Sequence, residues 1–222
     1  MKRNELKHLL FGVLFIVGFA VWTLLIRTVD VQPVGQNGTD IGFATLNCRF
    51  HQMTGVHMAI YTITDWLGLV PIIICLIFAG IGLVQLIQRK NLLKVDPDIL
   101  ILGLYYTIVI LGYLIFEMIP INYRPVLIDG FLEASYPSST TLLVLSVMPT
   151  LWFQAQRRIK NKIVLKCICV FSVLFSIFMV AGRTVAGVHW LTDIIGSVLL
   201  STGLFLLYRA IVIIYDNNLT GS

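Results

Sequence analysis

Long apolar runs alternate with short polar breaks along the chain. Six runs, at 9–27, 66–88, 98–119, 138–155, 163–181 and 190–214, come close to the roughly 20 residues that a helix needs to cross a hydrocarbon core. The breaks are 28–61, QRKNLLKVDPD (88–98), PINYRPVLIDGFLEASYP (120–137), QRRIKNK (156–162) and the tight GRTVAGVH (182–189). Pro97 and Pro137 fall near helix starts, where a missing N–H costs nothing. The pattern predicts an all-α, six-span transmembrane helix bundle, a single domain over residues 1–222. The first run follows Lys2, Arg3 and Lys7, is long for a signal sequence and lacks a small-residue cleavage site, so it reads as a retained helix.

The 28–61 break is not uniformly polar. Ile41, Phe43, Leu46, Phe50, Met53 and Val56 recur at near-helical spacing. They suit either an amphipathic helix lying in the membrane interface or an ordered loop packed on the bundle. Asn37-Gly38-Thr39 is a formal glycosylation sequon that chance explains better.

Composition sharpens this picture. The chain is 58% hydrophobic and 12% charged, with mean hydropathy +0.90, whereas soluble domains carry about 25% charged residues. The net charge of +5 is unevenly spread. One side collects Lys2, Arg3, Lys7, Arg89, Lys90, Lys94, Arg157, Arg158, Lys160, Lys162, Lys166 and Arg209; the other holds only Arg27, Arg49, Arg124 and Arg183. The positive-inside rule then places both termini in the cytoplasm of a cell-membrane protein, with the 28–61, 120–137 and 182–189 loops outside. The basic balance is thus topological and requires no nucleic-acid partner. Cys75, Cys167 and Cys169 sit in apolar segments and Cys48 stands alone, so all four read as small hydrophobes.

Charged residues at a bilayer face need a reason. Arg124 precedes Pro125; Arg183 lies six residues before His189, and His189 and Asp193 are i and i+4, on one helix face. That spacing lets a carboxylate take the imidazole N–H and fix which ring nitrogen is free. EASYPSSTT (133–141) places Ser138, Ser139 and Thr140 at the start of the fourth run, where free backbone N–H groups bind anions. Singly, each feature has a bland reading: an interfacial anchor, a snorkelling arginine, a satisfied histidine, an N-cap. Together, on one side of the bundle, they suit the phosphate of a lipid.

These residues resemble the membrane-bound type 2 phosphatidic acid phosphatase family. Its motifs are K-x6-R-P, P-S-G-H and S-R-x5-H-x3-D. NYRP is similar to the end of the first, YPSST to the second, and GRTVAGVHWLTD to the third, in which Arg183, His189 and Asp193 are intact. The resemblance implies an outer-face active site with His189 as nucleophile and Asp193 as its orienting partner. It also implies a phosphate held by Arg124, Arg183 and the Ser138–Ser139 backbone; Thr140 joins that set only through the helix start, and no cofactor is expected. Three positions depart from the pattern: Glu117 replaces the motif lysine, Thr140 the motif histidine, and Gly182 the motif serine.

Those departures shape the expected chemistry. Without the motif histidine, protonation of an alkoxide leaving group loses about 10²–10⁴-fold. A phosphate leaving group, with a second pKa near 6, hardly needs the proton. The expected substrate is therefore a lipid phosphate or pyrophosphate, with a polyprenyl pyrophosphate favoured. His51, His57 or a buried Glu117 could supply an acid; alternatively Glu117 pairs with Arg124 or Arg183. The acidic residues Glu117, Asp129 and Glu133 match no metal-ligand spacing, so metal-independent chemistry is expected. Two other readings stay open: a lipid-phosphate-binding protein without catalysis, and a lipid phosphotransferase.

Overall fold

The computed structural model describes residues 3–220, and Lys2 lies outside them. Eight α-helices follow in order: α1 Arg3–Thr28, α2 Ala44–Thr54, α3 Met58–Leu67, α4 Leu69–Arg89, α5 Pro97–Met118, α6 Ser139–Arg158, α7 Lys162–Val185 and α8 Leu191–Thr220. Among the described residues there is no strand beyond isolated bridges.

Among the described residues, five segments are long and apolar enough to cross a membrane: Glu5–Thr28, Met58–Arg89, Pro97–Met118, Lys162–Val185 and Leu191–Asn218. The second joins α3 to α4 through Gly68, whose φ and ψ are themselves helical (−58°, −17°). Pro71 has no N–H to donate to the carbonyl of Leu67, which breaks the helix there. The span expected from residue 66 therefore begins a helix earlier, at Met58.

The remaining expected span is α6, 20 residues and so about 30 Å long. It misses the apolarity of the other five because its buried face is partly polar. Thr141, Ser146, Thr150 and Gln154 are fully buried beside Leu142, Val144, Val147 and Met148. Neighbours bond several polar groups along this face, while the Ser146 hydroxyl has no hydrogen-bond partner among the described residues. Tyr105 donates to the Ser146 carbonyl (3.0 Å), Tyr106 and Thr150 share a hydroxyl bond (2.8 Å), and Gln154 donates to Tyr208 (2.5 Å). Where water is absent, such bonds are what allow polar side chains inside a bundle.

Packing fixes the rest. A side chain on Gly203 would stand 3.0 Å from the Ile16 backbone nitrogen, so α1 and α8 approach closely on small residues. At the end where α5 begins, Asp98 pairs with Arg157 (2.9 Å) and Arg158 (2.9 Å), and Arg157 also holds Asp216 (2.6 Å), binding α5, α6 and α8 together. Asn161 caps α7, its Oδ1 accepting from the Ile163 nitrogen (2.9 Å).

The first long break contains a helix, α2, packed on the bundle. Asn47 is fully buried and donates to the Thr192 hydroxyl at the start of α8 (3.0 Å). Leu46 and Met53 remain exposed on its outer face. The 182–189 segment is shorter than its sequence suggests, because α7 continues to Val185 and carries Arg183 in its last turn. Gly187 then makes the turn at φ +71°, and a Cβ there would lie 2.0 Å from the Gly55 carbonyl oxygen. Gly187→Ala is expected to destabilise the protein by about 1–3 kcal/mol through backbone strain and that clash. Melting in detergent checks this; an unchanged transition contradicts it.

Candidate active site

The 120–137 loop carries a small hairpin that positions two site residues. Asp129 (φ +49°) and Gly130 (φ +83°) form its tip, the backbone that an Asp-Gly turn between paired segments favours. Across it the Arg124 nitrogen donates to the Glu133 carbonyl (3.0 Å) and the Ser135 nitrogen to the Asn122 carbonyl (2.9 Å). Asp129 is thereby a turn residue.

His189 is buried between this hairpin and the ends of α7 and α8. Its Nδ1 lies 3.1 Å from the Ser135 carbonyl oxygen and 3.2 Å from the Ser135 hydroxyl. The carbonyl accepts only, so Nδ1 bears the proton and Nε2 keeps its lone pair. Asp193 is 3.9 Å from Nδ1, too far for the direct hydrogen bond expected from the i, i+4 spacing. Ser135 bridges the gap by donating its hydroxyl to Asp193 Oδ2. The same carboxylate accepts from the Trp190 nitrogen (2.9 Å) and from Asn122 Nδ2 (3.3 Å), so this fully buried anion is well bonded.

Nε2 faces Arg183, whose Nη2 is 3.4 Å away and can donate to the lone pair. Arg183 is 1% exposed, lies over the Tyr61 ring (4.9 Å) and reaches Asp65 at 3.5 Å. Arg124 is 8% exposed, sits 5.9 Å from the same ring, contacts Glu133 at 3.1 Å and keeps Nη1 buried without a partner. The acids beside the two arginines are therefore Glu133 and Asp65, while Glu117 is exposed and has no ion pair among the described residues. Burial and then the two arginines hold the His189 imidazole well below its ordinary pKa.

A polar cavity of about 180 Å³ opens here, lined by Tyr113, Glu117, Arg124, Glu133, Ser139 and His189 among others. Arg183 lies behind it. Of the three residues at the start of α6, Ser139 reaches the cavity. Ser138 is the fully buried N-cap residue, its hydroxyl bonded to Thr141 and its carbonyl to Ser197. Thr140 faces an adjoining apolar groove of about 550 Å³ between α4, α5 and α6. That groove shares Tyr113 and Ser139 with the cavity. Among the expected acids only Glu117 lines the cavity: His57 bonds the Thr54 carbonyl (2.8 Å), and His51 packs against Trp190 (5.6 Å).

The model of the PAP2 superfamily matches residues 43–215, which hold the whole site. The chain belongs to the PAP2 superfamily. It is a multi-pass membrane member by its five apolar helices. Its fold is similar to the crystal structure of a transmembrane PAP2-type phosphatidylglycerolphosphate phosphatase from Bacillus subtilis (TM-score 0.58, 18% identity, 90% of this chain and 94% of that one). None of the curated proteins matches the sequence. For this PAP2 protein, the residues that sequence reasoning missed are Ser135, Asn122, Tyr61 and Asp65; Glu133, weighed there only as a metal ligand, is instead the partner of Arg124. The Asp129-Gly130 hairpin signal was the available clue to Ser135, because pairing across that turn brings it to Asn122.

Ser135→Ala removes the bridge between Asp193 and the imidazole. A hydrogen bond to a charged group contributes about 1.5–3 kcal/mol, so kcat should fall roughly 10–100-fold with little change in KM. A fall confined to KM contradicts the positioning role. The depressed His189 pKa has a stability consequence of definite sign. Above about pH 6.5 the imidazole is neutral both folded and unfolded, so it contributes no pH dependence. Below that, the unfolded chain takes a proton that the folded site refuses, so stability falls as pH falls. Melting from pH 7.5 to 5 should show this loss, reduced in His189→Asn; an equal loss in both proteins contradicts it.

Proposed function

We propose that this protein is a membrane lipid phosphatase acting through a phosphohistidine. The observation that carries this reading is the His189 Nε2 lone pair, held beside Arg183 at a cavity also lined by Arg124 and Ser139. Nε2 attacks the terminal phosphorus, its bond to the bridging oxygen breaks, and that oxygen departs with the bond electrons on the lipid alcohol of a monoester or the lipid phosphate of a pyrophosphate. Water then attacks the phosphohistidine, releases inorganic phosphate and returns the neutral imidazole. Arg124, Arg183 and the backbone N–H groups at the start of α6 neutralise the phosphoryl oxygens. Asp193, acting through Ser135, keeps the proton on Nδ1.

The adjoining apolar groove supports a lipid-borne phosphate, since a chain lying between α4 and α5 places its head at the shared Tyr113 and Ser139. Thr140 turns away from the cavity and Glu117 is exposed, which leaves no buried acid in reach of the leaving oxygen. This favours a phosphate leaving group, and so a lipid pyrophosphate such as a polyprenyl pyrophosphate, over a phosphomonoester. The site is proposed to face outward, with both termini cytoplasmic and six spans including α6. The chemistry is proposed to need no metal ion.

Phosphate release from a panel of lipid mono- and pyrophosphates, in the parent and in His189→Ala, tests the reading. Turnover should be fastest on a pyrophosphate, unaffected by EDTA, and at least about 10³-fold lower in His189→Ala. Faster phosphomonoester cleavage contradicts the substrate preference. Full turnover in His189→Ala contradicts the nucleophile. Lipid binding without any release in the parent favours a non-catalytic binding protein. A phosphorylated lipid acceptor in place of free phosphate favours a phosphotransferase.

A further inference from the structure

A second groove, of about 490 Å³, lies between α6, α7 and α8 in the half of the bundle away from His189. Its walls are apolar, with Leu145, Pro149, Val173, Ile177 and Phe205 among them, and Trp152 lies on its lining. Two side chains on that lining each keep a buried polar atom without a hydrogen bond. Ser172 is 5% exposed and its hydroxyl makes no hydrogen bond. Arg209 makes no ion pair among the described residues, and its Nε is buried without a hydrogen bond. Its guanidinium rests 6.0 Å from the Phe153 ring.

Arg209 contrasts with its neighbours. Arg157 and Arg158 are taken by Asp98 and Asp216, whereas no carboxylate lines the groove. A lone guanidinium within a membrane-spanning helix is costly and calls for a counter-charge. More positive charge stands at the same mouth. Lys162, Lys166, Cys169 and Val173 follow at i+4, i+3 and i+4 on α7, so the two exposed lysines continue the face that lines the groove. An apolar slot with a cationic mouth matches the shape of a phospholipid, and basic pockets between spanning helices recognise anionic headgroups.

We propose that this groove holds one anionic phospholipid of the leaflet opposite the His189 cavity. Its phosphate pairs with Arg209 and Lys166, and one acyl chain lies along α6 and α7. This site is separate from the proposed substrate site and does not depend on catalysis.

The test uses the full chain in mild detergent with dioleoyl phosphatidylglycerol or dioleoyl phosphatidylcholine, read by native mass spectrometry and thermal melting. One phosphatidylglycerol should be retained per protomer and should raise the melting temperature, whereas phosphatidylcholine should do neither. Arg209→Gln with Lys166→Gln should weaken retention by at least about tenfold, the loss of charge-assisted bonds. Should that pair fail to fold, Lys162→Gln with Lys166→Gln alters only exposed positions and should still weaken retention. Arg124→Gln, at the other cavity, should keep the lipid. Equal retention of phosphatidylcholine overturns the proposal. So does undiminished retention in the Arg209 or lysine variants, or loss of the lipid in Arg124→Gln.

Discussion

The buried carboxylate of Asp193 is the constraint around which the site end of the molecule is arranged. It is fully enclosed, so its charge must be met by donors within the protein. Three donors from two places do so: the Ser135 hydroxyl and Asn122 amide on the 120–137 hairpin, and the Trp190 nitrogen at the turn into α8. Satisfying one anion thus locks the hairpin onto the α7–α8 turn. The same locking sets the Ser135 carbonyl against Nδ1 of His189. Orientation of the imidazole follows from the solvation of a neighbouring charge.

Polar groups also explain why the bundle core runs along α6. This helix presents Ser139 to the cavity at one end and arginines to Asp98 and Asp216 at the other. Between those ends the Thr150 hydroxyl and the Ser146 carbonyl bond to tyrosines of α5, and Gln154 bonds to Tyr208 of α8. A helix so equipped needs protein on most sides, and α4, α5, α7 and α8 all contact it. The apolar helices around it can face lipid, as their many exposed Leu, Ile, Val and Phe side chains do.

Much of this was legible in the sequence. Apolar run length located the long helices, because span length is set by the bilayer, but not α3, which begins at Met58 and lengthens the second span. The third motif located Arg183, His189 and Asp193, which do converge. The i, i+4 spacing was less reliable: it gives neighbouring Cβ atoms, but the hairpin inserts Ser135 between the two side chains. The partners of the arginines were also out of reach. Glu133 meets Arg124 only through the hairpin, and Asp65 meets Arg183 only through α3 packing on α7. The role of Thr140 depended on helix phase at one residue, which sequence spacing could not fix.

The central claim is that Ser135 and Asp193 keep the proton on Nδ1, so that Nε2 is the atom that takes the phosphoryl group. Rapid quench with a lipid pyrophosphate labelled at the terminal phosphorus, followed by isolation of the labelled peptide, tests this directly. The expected result is an acid-labile, base-stable phosphoryl group on Nε2 of His189. A label on Nδ1, on another residue, or absent while phosphate is released would contradict it.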